Sequence, residues 1–424
     1  QTLDKKLKKT ESAGWKPTRP KKTGSAHKHC QFEQHPGYQQ LQIIKNGAKA
    51  LGVPSAFFKV HAGVAGASSQ IDGQEVINFA SYNYLNLSGH PEVNQASVDA
   101  IHRYGTSVSA SRIVSGERPI HQELEAAIAT TYEVDDALVY VSGHATNVST
   151  IGYLFGAKDL IIHDEYIHNS SIVGSQLSGA KRIPFAHNNL DALEKILSEN
   201  RDQFEQVLIV VEGLYSMDGD SPDLSRLVEI KQQHHAFLMV DEAHSFGVLG
   251  ATGKGLREEC HVAGKDVDIW MGTLSKTLSG CGGYIAGCSA LIENLRYLSP
   301  GFLYSVGLPA PTAAAALASL QIIHKEPERI QKLNTISQSF IQQAQAMDSN
   351  TGESIGIAII PIILGSSVKA ANASAALLEK GINVQPILYP AVPERSARLR
   401  FFLSSEHTEA QIQLTLKTLK TLLS

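Results

Sequence analysis

Long apolar runs are missing from this 424-residue chain. The best candidates, residues 356–365 and the alanine-rich stretch 313–318, fall far short of the roughly 18 residues that a membrane-crossing helix needs. Cysteine is scarce. Cys30, Cys260, Cys281 and Cys288 form no CxxC pair, which excludes a zinc ribbon or a disulfide scaffold and points to a reducing, cytoplasmic compartment. An excess of positive charge is also lacking. Lys and Arg number 37 against 41 Asp and Glu, so the net charge of −4 gives no case for nucleic acid as the partner. At 43% hydrophobic and 18% charged residues, the composition is globular rather than disordered. At about 150 residues per domain, the length predicts two or three domains. What remains is a multi-domain globular protein, and at this size an enzyme.

The first 29 residues stand apart, with nine Lys or Arg against Asp4 and Glu11 and no apolar segment of the secretory kind. Together with a start at Gln1, this predicts a basic linker over residues 1–30 at the head of a domain cut from a longer polypeptide. An N-terminal arm over 31–78 follows. From Phe79 the chain alternates short β-branched runs with helical patterns. Strands are predicted over 137–141, 160–163, 207–212, 237–241, 268–272 and 284–286. Helices are predicted over 121–131, 190–198, 224–234 and 291–298, with Asn189 and Asp223 at N-cap positions. Such alternation implies parallel strands joined by right-handed crossovers. The Leu308-Pro-Ala-Pro311 break divides a large domain, 79–311, from a small C-terminal α+β domain, 312–424. The small domain holds a long helical stretch to about Met347, strands over 357–363 and 398–403, and a last helix over 409–423.

The most telling segment is Asp268-Ile-Trp-Met-Gly-Thr-Leu-Ser-Lys276-Thr-Leu-Ser-Gly-Cys-Gly-Gly283. An apolar strand delivers one lysine into a small-residue loop that carries no companion charge. A desolvated lysine becomes a nucleophilic amine suited to Schiff-base chemistry. Alone, the segment would read as a tight turn with an incidental lysine. However, Asp241-Glu-Ala-His244 ends another strand, Glu212-Gly-Leu-Tyr-Ser216-Met-Asp-Gly-Asp a third, and Ser142-Gly143-His144 opens a helix whose free N–H groups suit a phosphate. Ligands of open parallel sheets sit beyond the carboxyl ends of the strands, where all four segments fall. An amine, a carboxylate, an imidazole and an anion cradle are the set that pyridoxal phosphate (PLP) requires. Asp241-Glu-Ala-His244 also spells a helicase box, but no GxxxxGK[ST] loop accompanies it. A metal site from His144, His168, His244 and Asp241 lacks any local ligand pair, so no metal is expected.

These motifs resemble those of the α-oxoamine synthases, PLP enzymes of fold type I related to the class II aminotransferases. The resemblance runs from about Phe79 to Leu403. It also takes in Asn83-Tyr-Leu, Ser111-Arg-Ile-Val-Ser-Gly, Asp164…His168-Asn-Ser, Pro300-Gly-Phe-Leu-Tyr-Ser305 and Ala397-Arg-Leu-Arg400. It implies an α/β fold with a mainly parallel seven-stranded sheet domain, a smaller C-terminal α+β domain, and a homodimer. Lys276 would hold PLP covalently and move protons at the substrate Cα. Asp241 would keep the pyridine nitrogen protonated. His244 and Ser216 would bond the phenolic oxygen, and His168 would stack on the ring. The Gly143 and His144 amides with Thr273 would hold the phosphate, and Ser305 would reach the cofactor of the neighbouring subunit. Ser142 and Glu212 join the cofactor-binding set. Asn83 and Arg400 would grip the amino-acid carboxylate, Arg400 in bidentate fashion, with Tyr84 and Ser111 beside the substrate. The implied reaction is a decarboxylative Claisen condensation of an amino acid with an acyl thioester, giving an α-aminoketone, CO2 and free thiol.

The sequence also departs from the family. His144 stands where an aromatic residue is usual, and Cys281 replaces another in the glycine loop. Leu388, Tyr389 and Ala391 replace the Arg-Pro and Thr of synthases that take charged acyl groups. With Tyr104-Gly-Thr-Ser-Val-Ser-Ala-Ser-Arg112, this variant resembles synthase domains fused to polyketide-type assembly lines, those that start saxitoxin biosynthesis among them. That likeness implies arginine and a propionyl group on an acyl carrier protein. Two alternatives remain open. One is an aminotransferase or retro-aldol lyase on the same fold. The other is a non-catalytic partner subunit, which would lack the lysine.

Overall fold

The computed structural model describes residues 30–423 apart from Leu51 and Pro54. The basic linker expected over residues 1–30 therefore lies, but for Cys30, outside the described residues. The chain divides into two compact units, Gln1–Pro54 and Ser55–Ser424. In the first, the helix Pro36–Ala50 buries none of its side chains.

The second unit is built on fourteen strands. They are β1 (His61–Ala62), β2 (Ser68–Ile71), β3 (Gln74–Asn78), β4 (Asp136–Tyr140), β5 (Leu160–Asp164), β6 (Lys181–Phe185), β7 (Val207–Glu212), β8 (Phe237–Asp241), β9 (Ile269–Thr273), β10 (Gly283–Gly287), β11 (Ile359–Ile363), β12 (Ile382–Asn383), β13 (Gln385–Ile387) and β14 (Arg398–Phe402). A seven-stranded sheet runs in the order β4-β10-β9-β8-β7-β5-β6. Strand β10 pairs antiparallel with both neighbours, and the other pairs are parallel. The fold is the expected α/β class with a mixed, mainly parallel seven-stranded sheet.

The central strands of this sheet, β5, β7, β8 and β9, are largely apolar because helices cover both faces. Alternate residues feed two cores. Val139, Ile162, Ile209, Val211, Val240 and Trp270 pack with Leu124, Leu193 and Leu227 on one side. Leu138, Ile161, Leu208, Val210, Met239 and Met271 pack with Ile151, Ile292 and Phe302 on the other. Asn189 and Asp223 are the expected caps, their side chains accepting from Ala192 N and Arg226 N, each at 3.0 Å. Among the described residues, no helix is long and apolar enough to cross a membrane.

The expected long helix after Pro311 is two helices, Ala310–Lys325 and Glu328–Gln345, because Pro327 has no N–H with which to continue the first. The expected arm over 31–78 contains β1, β2 and β3, and β3 pairs in parallel with β12 from the C-terminal third. Strand β6 escapes a sequence reading. Lys181, Arg182 and Pro184 are exposed or half-exposed, as an edge strand with one neighbour allows.

One buried ion cluster fixes the Ser111–Gly116 segment. The Arg112 guanidinium, almost wholly buried, donates to Glu117 from Nε (2.5 Å) and Nη2 (2.7 Å), and to both oxygens of Glu125. Glu125 Oε1 also accepts the N–H of Val139 on β4 at 2.9 Å. Arg112→Met leaves Glu125 buried with only the more distant Arg296, 3.8 Å away, and is expected to cost about 3–5 kcal/mol in urea unfolding. A loss below about 1 kcal/mol would be that of a solvated surface pair and would contradict this account.

Candidate active site

The carboxyl ends of β5, β7, β8 and β9 supply Asp164, Glu212, Asp241 and Thr273 to one region, with Lys276 three residues beyond β9. Asp241 is 5% exposed. Its Oδ2 accepts from Asn147 Nδ2 and its Oδ1 from Ala243 N, each at 2.9 Å, so the side chain is held by two N–H donors in the manner of a carboxylate. Glu212 lies beside it in the β7–β8 register. Burial, and then the Asp241 charge, hold the Glu212 carboxyl well above the ordinary carboxylate range. Glu212 Oε1 is buried without a partner among the described residues.

Lys276 is partly buried, and its Nζ lies 5.4 Å from the centre of the Tyr82 ring. Desolvation pulls the ammonium below the usual lysine value, against the attraction of Asp241 and Glu212, with Arg400 adding to the fall. A lysine with a lowered pKa gives up its proton more readily, and the unprotonated amine is the nucleophile of Schiff-base chemistry. His244 is nearly buried, and its Nδ1 sits 2.8 Å from the Tyr84 hydroxyl. Burial, Lys276 and Arg400 push it well below the usual imidazole value, so its ring is neutral.

Ser142 caps the helix Gly143–Leu154. The Thr273 hydroxyl bonds Gly282 O at 3.0 Å. A Cβ on Gly143 would come within 3.0 Å of Thr273 Oγ1, so glycine lets this helix start and its N–H groups approach the end of β9 closely. That is the shape of an anion cradle. His168 caps the helix Asn169–Ser178, its Nδ1 2.7 Å from Ser170 Oγ, and its ring stands perpendicular to that of His144 at 6.5 Å.

Arg400 on β14 reaches the turn after β7. Its Nη1 donates to Ser216 O at 3.0 Å and its guanidinium lies 4.5 Å from the Phe402 ring centre. Burial lowers its pKa, against the pull of Tyr82 and Tyr84. Its Nε is buried with no partner among the described residues, an unfilled donor within charge range of Lys276. The residues present fit PLP. A desolvated amine, a carboxylate held from behind, a neutral imidazole, an anion cradle and a guanidinium with one unfilled donor share one site.

Three expected site residues stand elsewhere. Asn83 spends its amide on its own loop, with Nδ2 donating to Ala65 O at 2.8 Å and Oδ1 accepting from Ser88 N at 3.1 Å. Its neighbour Tyr82 is the side chain that faces Lys276. Tyr84 is fully buried behind His244 rather than open to a substrate. Ser111 closes the turn before the Arg112 cluster, its carbonyl accepting from Val114 N and Gly116 N. Ser305, expected at the cofactor of a neighbouring subunit, lines a small cavity with Arg112 and Tyr140. Tyr82 and Asn147 were missed. Asn147 had a signal, since it lies one helical turn after Gly143 and so shares its face.

The chain matches the family described as aminotransferase class I and II over residues 74–419. It is 35% identical to the 8-amino-7-oxononanoate synthase of Thermoanaerobacter pseudethanolicus over 379 residues, covering 89% of this chain and 95% of that protein. The enzyme of the same name from Symbiobacterium thermophilum is 39% identical over 344 residues, covering 81% and 87%. Among solved structures, serine palmitoyltransferase from Sphingomonas wittichii superposes with a TM-score of 0.87 at 29% identity, covering 91% of this chain and 97% of the other. A serine palmitoyltransferase determined with PLP gives the same score, identity and coverage.

Proposed function

The chain belongs to the class I and II aminotransferase family, in the branch of the α-oxoamine synthases, and we propose that it joins arginine to a propionyl group carried on an acyl carrier protein. The reaction class is a PLP-dependent condensation of an amino acid with an acyl thioester. PLP, when bound, draws electron density from the amino-acid Cα, so that a proton and CO2 can leave it.

In this reading Lys276 holds the cofactor and moves the proton at Cα, for which its lowered pKa suits it. Asp241 faces the ring nitrogen, kept in place by Asn147 and the Ala243 amide. His244, oriented by Tyr84, and Ser216 face the phenolic oxygen, and His168 covers the ring. Gly143, His144 and Thr273 hold the phosphate. Arg400 takes the substrate carboxylate on the edge that its unpartnered Nε leaves free, and this is the observation that carries the reading. A second copy of the chain completes the site through Ser305. A cytoplasmic location belongs to the same reading, in keeping with a chain that has only four cysteines and no CxxC pair.

The acyl choice rests on Leu388 and Tyr389, which offer no cation to a dicarboxylic acyl group. Tyr389 is 68% exposed in a loop that Ser367 anchors through its hydroxyl. The carrier protein rests on the nine cations among the first 29 residues, which would speed encounter with an acidic carrier. Arginine rests on the likeness to assembly-line-fused synthases. Mass spectrometry of products from a panel of amino acids and acyl thioesters tests all three. The expected product is the α-aminoketone of arginine and propionate, with kcat/KM higher for the carrier-bound donor than for propionyl-CoA. Equal values for the two donors would remove the carrier from the proposal, and a 2-oxo acid product would identify a transaminase instead.

A further inference from the structure

One imidazole that the reaction does not use joins three loops at the carboxyl edge of the sheet. His187 follows β6. Its Nδ1 lies 2.9 Å from Asp164 Oδ1 at the end of β5, and its Nε2 lies 2.9 Å from Asp220 Oδ2 in the turn after β7. If each carboxylate is to accept a hydrogen bond, both ring nitrogens must carry hydrogen, and the ring is an imidazolium. Burial opposes that charge, yet the bonds to Asp164 and Asp220 raise the pKa to about 10. Tyr166 stacks on the ring at 4.4 Å and Tyr215 meets it edge-on at 4.5 Å. The neighbouring Asn188 repeats the link, with N donating to Asp164 Oδ2 at 2.8 Å and Nδ2 to Asp220 Oδ2 at 2.6 Å. The His187 N–H itself goes to Glu165 at 2.9 Å.

Each carboxylate leads to a site residue. Asp164 also takes the N–H of Tyr166 at 2.8 Å, which fixes the loop running into His168. Asp220 closes the turn that carries Ser216, since Tyr215 N donates to Asp220 O and Gly219 N to Tyr215 O, each at 2.9 Å. The far side of that turn is held by β14. Arg398 donates to Met217 O at 2.9 Å and to Asp218 at 2.6 Å, and Arg400 donates to Ser216 O. The turn that carries Ser216 is thus held from one side by Arg398 and Arg400 and from the other by His187 through Asp220.

We propose that His187 is a positioning residue for amino-acid recognition, its imidazolium tying the loop that carries His168 to the turn that aims Arg400. The proposal rests on the reading that Arg400 takes the substrate carboxylate. The test is titration of the holoenzyme with L-arginine, L-serine and L-alanine, without thioester, following the visible cofactor band. His187→Gln keeps one donor and loses the charge. Its amino-acid Kd is expected to weaken by roughly 10-fold or more, with KM moving more than kcat, as a small displacement of a gripping group does. Asp220→Asn is expected to act in the same direction by less, and it decides the matter if His187→Gln does not fold. Arg400→Ala sets the scale. A weakened Kd in Arg400→Ala with no change in either other variant, even with a lowered melting temperature, overturns the positioning role. An unchanged Kd in Arg400→Ala overturns the carboxylate reading, and this proposal with it.

Discussion

Lys276→Ala is expected to abolish turnover, with a loss at the upper end of the roughly 10²–10⁴-fold range for a proton-transfer group, or beyond it, because the covalent hold on the cofactor goes as well. Borohydride reduction should then trap no cofactor on the chain. The fold should survive, since Lys276 makes no ion pair among the described residues and sits where burial disfavours its charge. The sign of the stability effect follows from that. A lysine whose folded pKa is lowered binds its proton less well in the folded chain than in the unfolded one. Folding is therefore opposed at pH values below the folded pKa, and the penalty fades as pH rises toward the ordinary value of 10.5. At neutral pH the cofactor-free Lys276→Ala protein should melt no lower than the cofactor-free parent, and any advantage should shrink above pH 10. Cofactor trapped on another lysine, or a large drop in melting temperature, would show that Lys276 has been given the wrong task.

The residues at strand ends were legible in the sequence because two signals coincide there. A strand buried on both faces is a plain apolar run, and the first polar residue after it marks the carboxyl edge, where ligands bind. Asp241, Glu212 and Lys276 each interrupt or follow such a run. Strands β7 and β8 were predicted to the residue for the same reason. Loop residues carry no such period. After β3 the chain turns at Ser81, whose hydroxyl takes the Asn83 N–H at 3.2 Å, and Asn86 adopts a φ of 54°. Nothing in the order Tyr82-Asn83-Tyr84 says which side chain the turn aims inward. The amide resembles a carboxylate ligand by chemistry, yet the turn consumes it and presents Tyr82.

His187 was illegible for a different reason. Its partners lie 23 and 33 residues away along the chain, and each is one acid among 41. Its role exists only once β5, β6 and β7 bring their ends together. Tyr84 is similar. By sequence it is an aromatic residue in a motif, but a separation of 160 residues closes to a 2.8 Å bond with His244. That bond settles which ring nitrogen of His244 is engaged with Tyr84 and leaves Nε2 outside it.

Asp241→Asn should retain PLP but lose about 10²–10³ in kcat, the usual effect of removing one aimed group from a site that stabilises developing charge. The geometry explains why a near-isosteric change costs so much. Both Asp241 oxygens accept from N–H groups, Asn147 Nδ2 and Ala243 N. An amide has one accepting oxygen, so its NH2 must face one of those donors or turn aside. It also carries no negative charge to keep a proton on the ring nitrogen. Glu212 is a poor substitute, because burial disfavours its charged form. The charge effect separates from mere loosening by exchange of the amino-acid Cα hydrogen for deuterium, measured without any acyl thioester. Exchange should slow by a factor close to the loss in kcat, while the Kd for PLP changes far less. Asn147→Ala removes one donor but leaves the carboxylate in place, so it should slow exchange less than Asp241→Asn does. Exchange at nearly the parental rate in Asp241→Asn would mean that the ring nitrogen is not this carboxylate's partner.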